Sequence, residues 1–396
     1  MGDEGGHRAF ITAPFFAKSP VSRGQFVRIA PPPPPGKVSM KNTRAAGMMT
    51  GGRQKVGSSQ GHVEPYSLLE NVLMRHLGSK PAHAIPVDDG VFAVISRGEG
   101  GVGGAITVCM VHSEGDADCG KPTTTPEGCW RGRGGHGAVV LLCDEDVGGK
   151  GGGGGYAIYG KVMGGSKQVV IAQDRVPLSS GGDAALLSRS SFLVVSGDGE
   201  QGSACSVSNQ TTVVCGAPAS IFGSGGGTAG VRAAAAGRGD VVVAGLSNSG
   251  TLSVAVVKVT PDSKGEGVGG HVITLLSQGV PGVGGAVRLF DVAGLGPSRV
   301  AVSWVSNDYL HAVLAVGEGE WGNMSWSAAA SRPLIGGAQS LRVASAGTPD
   351  LFGLVYMCEK GKPHALGGFF APRGEGDEGG WGELRLTEIE SILQIS

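Results

Sequence analysis

Aromatic side chains make up only 5% of this 396-residue chain, and charged ones only 16%. A core built on ring packing is therefore excluded, and Val, Leu, Ile and Ala must carry it. No C-x-x-C or H-E-x-x-H motif occurs and the nine His are scattered singly, so neither a metal site nor a cofactor is expected. No run approaches the roughly 18 continuous apolar residues of a membrane helix. The opening MGDEGGHRAF lacks the charged-then-apolar order of a secretory signal. What is abundant is glycine, 74 residues of it. There is no strict G-X-Y period, which excludes collagen. Glycine at that density disfavours helices and supplies turns, so many short strands are expected.

Charge is unevenly spread. Residues 1–63 hold nine Lys/Arg against two acids, Asp3 and Glu4, leaving 23 bases and 31 acids in the rest, a net of −8. That basic segment, rich in Pro, Gly and Ser, reads as a disordered arm that is dispensable for folding. Its Pro31–Pro35 run reads as a polyproline II rod of the kind SH3, WW or profilin partners bind. Nucleic acid is not expected as a partner, because charge alone argues for it. Residues 64–87 read as a short helix and linker: Ser67-Leu-Leu-Glu70 is a capping box, with Val72, Leu73 and Leu77 at helical spacing.

From residue 88 to 396 the texture is apolar runs broken by polar turns. VFAVI (from Val91), AVVLL (Ala138), FLVV (Phe192), VVVA (Val241), VAVSWV (Val300) and LFGLVY (Leu351) start 47, 54, 49, 59 and 51 residues apart. A unit near 50 residues, built of short strands, is the size of a four-stranded propeller blade. Gly-Gly doublets at Gly181, Gly284 and Gly336 precede the next run by 11 to 16 residues. VVVAGLSNSGTLSVAVVKV (241–259) and VAVSWVSNDYLHAVLAV (300–316) read as hairpins. A third strand then follows, from Val169, Val272, Met324 and Glu383. This pattern resembles divergent tandem β-propeller blade repeats. The Tyr and Trp of kelch repeats and the Trp-Asp of WD repeats are absent, so no named family is assigned. The expected fold is all-β, a single propeller of about six blades, with a pair of β-sandwiches as the alternative. The C-terminal GELRLTEIESILQIS is expected to close the ring by sharing a blade with the other end.

Motifs for chemistry are thin. The G-x-G-x-x-G at Gly225, Gly227 and Gly230 lacks a following helix and the acid of a dinucleotide site. The G-x-S-x-G spelling around Ser59 lies in the basic arm, without strand or helix. Asp144-Glu145-Asp146 reads as a solvated turn. Asp144, Asp174, Asp198, Asp240, Asp308 and His311 do not share one phase of the repeat, so they are not expected to converge. Cys205 and Cys215 bracket a hairpin and are a disulfide candidate, as are Cys119 and Cys129 around a Thr/Pro loop. The cysteines and the sequons at Asn209 and Asn323 lean toward a secretory setting and the opening residues lean against it, so no compartment is assigned.

The favoured function is therefore a non-catalytic binding or scaffold protein. It would recognise a protein, peptide or glycan through one propeller face. Trp321 and Trp381 stand in matching glycine-rich, acidic turns and are the expected anchors. The alternative is a propeller-type enzyme with its site at the central channel.

Overall fold

The run Ala138–Asp144 buries every residue except its last, so it has other layers against both faces. A computed structural model, which describes residues 81–388 apart from parts of the connecting loops, shows what those layers are. Six such runs are the second strands of six antiparallel sheets.

Blade 1 comprises β1 (Pro81–Asp88), β2 (Val91–Arg97), β3 (Gly104–Val111) and an outer strand in two pieces, β4 (Ala117–Cys119) and β5 (Thr123–Thr125). Blade 2 comprises β6 (Cys129–Gly135), β7 (Ala138–Asp144), β8 (Gly154–Met163) and the pieces β9 (Gln168–Ile171) and β10 (Val176–Ser179). Blade 3 comprises β11 (Asp183–Ser188), β12 (Ser191–Val195), β13 (Gln201–Ser208) and the pieces β14 (Thr212–Cys215) and β15 (Ala219–Ser220). Blade 4 has β16 (Thr228–Gly237), β17 (Asp240–Ser247), β18 (Leu252–Thr260) and β19 (His271–Gly279). Blade 5 has β20 (Leu289–Gly296), β21 (Arg299–Val305), β22 (His311–Glu318) and the pieces β23 (Ser325–Trp326) and β24 (Ala330–Pro333). Blade 6 has β25 (Ser340–Thr348), β26 (Leu351–Met357), β27 (Pro363–Phe370) and β28 (Leu384–Glu388). Among the described residues there is no helix, and so none long and apolar enough to cross a membrane.

The first strands β1, β6, β11, β16, β20 and β25 each neighbour the next, forming the inner wall of the ring. This is a six-bladed β-propeller. Apolar clusters fill the gaps between successive blades. One holds Ile85, Ile95, Leu141 and Ile158 between blades 1 and 2, and another holds Leu314, Phe352 and Tyr356 between blades 5 and 6. Phe92 and Val94 on the other face of β2 are also buried, as are Val355 and Phe369 in blade 6. These faces lie at the two ends of the series of blades.

Glycine earns its abundance where backbones approach. A Cβ on Gly294 would stand 2.1 Å from the Ala235 carbonyl oxygen, and one on Gly134 would stand 2.0 Å from that of Pro86. Only glycine lets these inner strands pack so closely. The doublet Gly336-Gly337, with φ of 73° and 72°, turns the chain into β25 through a conformation other residues resist.

Four expectations need correction or relocation. First, β1 occupies part of the stretch read as helix and linker, so the propeller includes Pro81. β1 accommodates Pro81 and Pro86 because it is an edge strand whose second side faces the channel, where a missing N–H is tolerated. The helix expected at 67–77 lies outside the described residues. Second, the segments read as third strands (from Val169, Val272, Met324 and Glu383) are outer, fourth strands: the inner strand before each apolar run had not been counted. Third, Cys119 pairs with Cys109 and Cys129 with Cys143, rather than with each other. Each true pair sits directly opposite across neighbouring strands, with Cα atoms 4.0 and 3.9 Å apart. Cys205 and Cys215 form the same cross-strand bridge between β13 and β14, and Cys358 is a buried free thiol. Fourth, among the described residues no blade is shared by the two ends: β28 completes a blade made wholly of residues after 339.

Candidate functional site

Each inner strand contributes an ionisable side chain to one charged constellation at the channel, and β6 carries a second, Arg131, whose Nη2 stands 3.7 Å from Asp144 Oδ1. Blades 1, 3 and 5 contribute His83, Asp183 and Asp291, and blades 2, 4 and 6 contribute Arg133, Arg232 and Arg342. Basic residues thus occupy every even blade. Two of the three odd blades carry the matching acid.

An inner strand has an unpaired edge, and its backbone groups there need partners. The odd-blade residues supply them. Asp183 Oδ2 accepts the Ala233 N–H (3.0 Å) and Asp291 Oδ2 accepts the Val343 N–H (3.0 Å), each on the next blade, one residue beyond the arginine. His83 Nε2 lies 3.2 Å from the Gly132 carbonyl, one residue before Arg133, and donates its hydrogen there. Polar side chains thereby stitch blade 1 to 2, 3 to 4 and 5 to 6.

Arg133 crosses the axis. Its Nε donates to Asp183 Oδ1 (2.9 Å) and Oδ2 (3.1 Å), and its Nη2 closes on Oδ2. The same Nη2 stands 3.7 Å from Asp291 Oδ1, on the blade opposite. Asp183 and Asp291 are 2% and 1% exposed, whereas His83 and the three arginines are partly open to the channel. Arg232 donates to the Val231 carbonyl (2.8 Å) and lies over the Phe290 ring, and Arg342 donates to the Leu341 carbonyl (3.3 Å).

Burial alone would raise the Asp183 carboxyl, but the paired Arg133 outweighs it and leaves it lowered to about 2. Burial lowers His83 to about 3, helped by Arg342 and Arg133, so its ring is neutral across the physiological range. Burial likewise lowers Arg342 to about 10, against the pull of Asp291, and lowers Arg232. Arg133 is raised because Asp183 overcomes its desolvation. Within these six residues three cations face two anions and a neutral imidazole, and Arg131 adds to the positive field at Arg232.

This constellation was missed in the sequence, though a signal was present. Asp183, Arg232, Asp291 and Arg342 each stand nine residues before an apolar run, at Phe192, Val241, Val300 and Leu351. Of the acids considered instead, Asp144 accepts Trp130 Nε1 (2.7 Å), Asp174 accepts the Val213 N–H (2.8 Å) and Asp198 serves its own turn. The structure does not bring them together, and Asp308 lies outside the described residues. Trp321 and Trp381 also lie outside them, within the connections from β22 to β23 and from β27 to β28. No group of three or more metal-ligating side chains occurs among the described residues.

No protein-family model matches the chain, and no curated protein matches it. Solved structures do. A protein from Lactobacillus plantarum covers 78% of this chain and 88% of its own at 10% identity, with a TM-score of 0.48. A functionally unknown protein from Desulfotomaculum acetoxidans DSM 771 covers 79% and 90% at 12% identity, with a TM-score of 0.47. A mutant Aleuria aurantia lectin in complex with alpha-methyl-L-fucoside covers 77% and 94% at 13% identity, with a TM-score of 0.43. Likeness at this level says nothing of this chain's ligand.

Proposed function

We propose that this protein is a non-catalytic binding scaffold that recognises a protein, peptide or glycan through one face of its ring. The observation that carries the reading is the state of the channel groups. General acid–base chemistry needs groups that titrate near the working pH. Asp183 and His83 are held far from it, and both carry a structural hydrogen bond to the neighbouring blade. The channel constellation therefore joins neighbouring blades rather than catalysing a reaction, and recognition by the ring face falls to the loops. Trp321 and Trp381 remain the proposed anchors. Both fall in third-to-fourth-strand connections, of blades 5 and 6, which leave their sheets in the same sense. The Pro31–Pro35 run is a separate proposed contact for an SH3, WW or profilin-type partner.

The test is capture on glycan and peptide arrays by the full chain, alongside Trp321→Ala and Trp381→Ala. Saturable capture that weakens about tenfold or more in both variants supports the reading. Undiminished capture removes the tryptophans from it. Turnover of an array member that is abolished in Asp183→Asn overturns the non-catalytic reading.

A further inference from the structure

The alternation of charge round the channel is broken at one blade. Where blades 3 and 5 place an acid, blade 1 places His83, and that imidazole is neutral. Three guanidinium groups then face two carboxylates, and the excess positive charge sits on side chains that are only partly open to solvent. An uncompensated charge in such a place is costly. The carboxylates do not share the arginines evenly. Asp183 is taken up by Arg133 and the Ala233 N–H. Asp291 keeps one oxygen on the Val343 N–H, while its buried Oδ1 stands 3.7 Å from Arg133 Nη2 and accepts no hydrogen bond among the described residues. Among the described residues, Arg232 and Arg342, which flank Asp291 on blades 4 and 6, donate only to carbonyls of their own strands, and the buried Nε of Arg232 has no partner. Both acids are fully buried while the arginines are partly open, so the part of the constellation that meets the channel is cationic.

We propose that the channel binds one oxyanion, a carboxylate or phosphate group, held by Arg232 and Arg342 with Arg133 completing the positive field. An oxyanion presents two oxygens to an arginine fork, which fits a guanidinium such as that of Arg232, whose Nε has no partner among the described residues. The single negative charge of a carboxylate brings the constellation to neutrality, and a phosphate group supplies at least that much. The site differs in place and chemistry from the loop tryptophans, and its existence does not depend on what the ring face recognises.

The experiment uses the full chain with orthophosphate and acetate as probes, each titrated at constant ionic strength against chloride. Calorimetry and the melting temperature are followed together. Wild type should saturate with at least one probe and melt higher as it does so. Saturation by acetate alone marks a carboxylate group, as on a peptide or acidic sugar, and saturation by phosphate alone marks a phosphate group. Arg342→Gln should weaken binding about tenfold or more. In chloride it should melt no lower than wild type, since the surplus charge is gone. His83→Asp restores the alternation, at the loss of the hydrogen bond to the Gly132 carbonyl, and should abolish the oxyanion response while circular dichroism still reports a folded ring, which keeps the test valid if Arg342→Gln fails to fold. A wild type that saturates with neither probe overturns the proposal, as does an equal response in His83→Asp.

Discussion

His83 illustrates how a single inner-strand residue sets the acid behaviour of the molecule. Its folded pKa, about 3, lies below the ordinary 6.5, so between these values the unfolded chain binds a proton that the folded chain refuses. Stability is complete above pH 6.5 and falls as pH drops toward 3. Asp183, lowered to about 2, contributes stability above pH 4 that is lost as pH falls through 2. Acid unfolding should thus start near pH 6, and His83→Gln should flatten the slope between pH 4 and 6 in melts across that range. Asp183→Ala should act at every pH above 4. It strands Arg133 and the Ala233 N–H in a buried setting, a loss of about 3–5 kcal/mol by denaturant titration. An effect below about 1 kcal/mol would show that solvent replaces the carboxylate.

Among the elements, the second strands are the most constrained, because they are buried on both faces. Inner strands are constrained differently, by closeness. Gly294→Ala drives a methyl group against the backbone of Ala235 and Ala236 on β16, and backbone atoms cannot step aside as a side-chain tip can. It should destabilise by about 1–3 kcal/mol in chemical denaturation, the range for overpacking. Gly279→Ala meets nothing within 4 Å and should be near neutral, which makes it the control. The cross-strand cystines act on blade edges. Cys205–Cys215 closes a loop of 10 residues, so replacing both by Ala should cost about 2–3 kcal/mol in the oxidised protein and nothing in the reduced one. A loss that persists under reductant would mean that packing, not the covalent bond, is responsible.

At the scale of the whole molecule, inter-blade clusters and a charged hub hold the blades together, and among the described residues no strand is exchanged between the chain ends. Deleting residues 383–396 removes β28 with its buried Leu384 and Leu386, which belong to the cluster between blades 5 and 6. Calorimetry should show one cooperative transition at a lower temperature. Two separated transitions would mean that blade 6 folds apart from the ring.

The blade count was legible because strands buried on both faces must be apolar throughout, and six such runs recur in VFAVI, AVVLL, FLVV, VVVA, VAVSWV and LFGLVY. Outer strands were legible as positions but not in rank, since a short strand on a half-exposed edge carries little pattern. Cystine partners were not legible beyond hairpin spacing: Cys109 lies opposite Cys119 only through the register of β3 and β4. The channel constellation shows the division most sharply. By itself the sequence determined that Asp183, Arg232, Asp291 and Arg342 stand at one phase of the repeat. Only the tertiary structure decided that Arg133 spans the axis between Asp183 and Asp291, and that His83 leaves one arginine unbalanced. Charge pairing depends on distance between chain segments some 50 to 160 residues apart, and ring closure alone sets that distance.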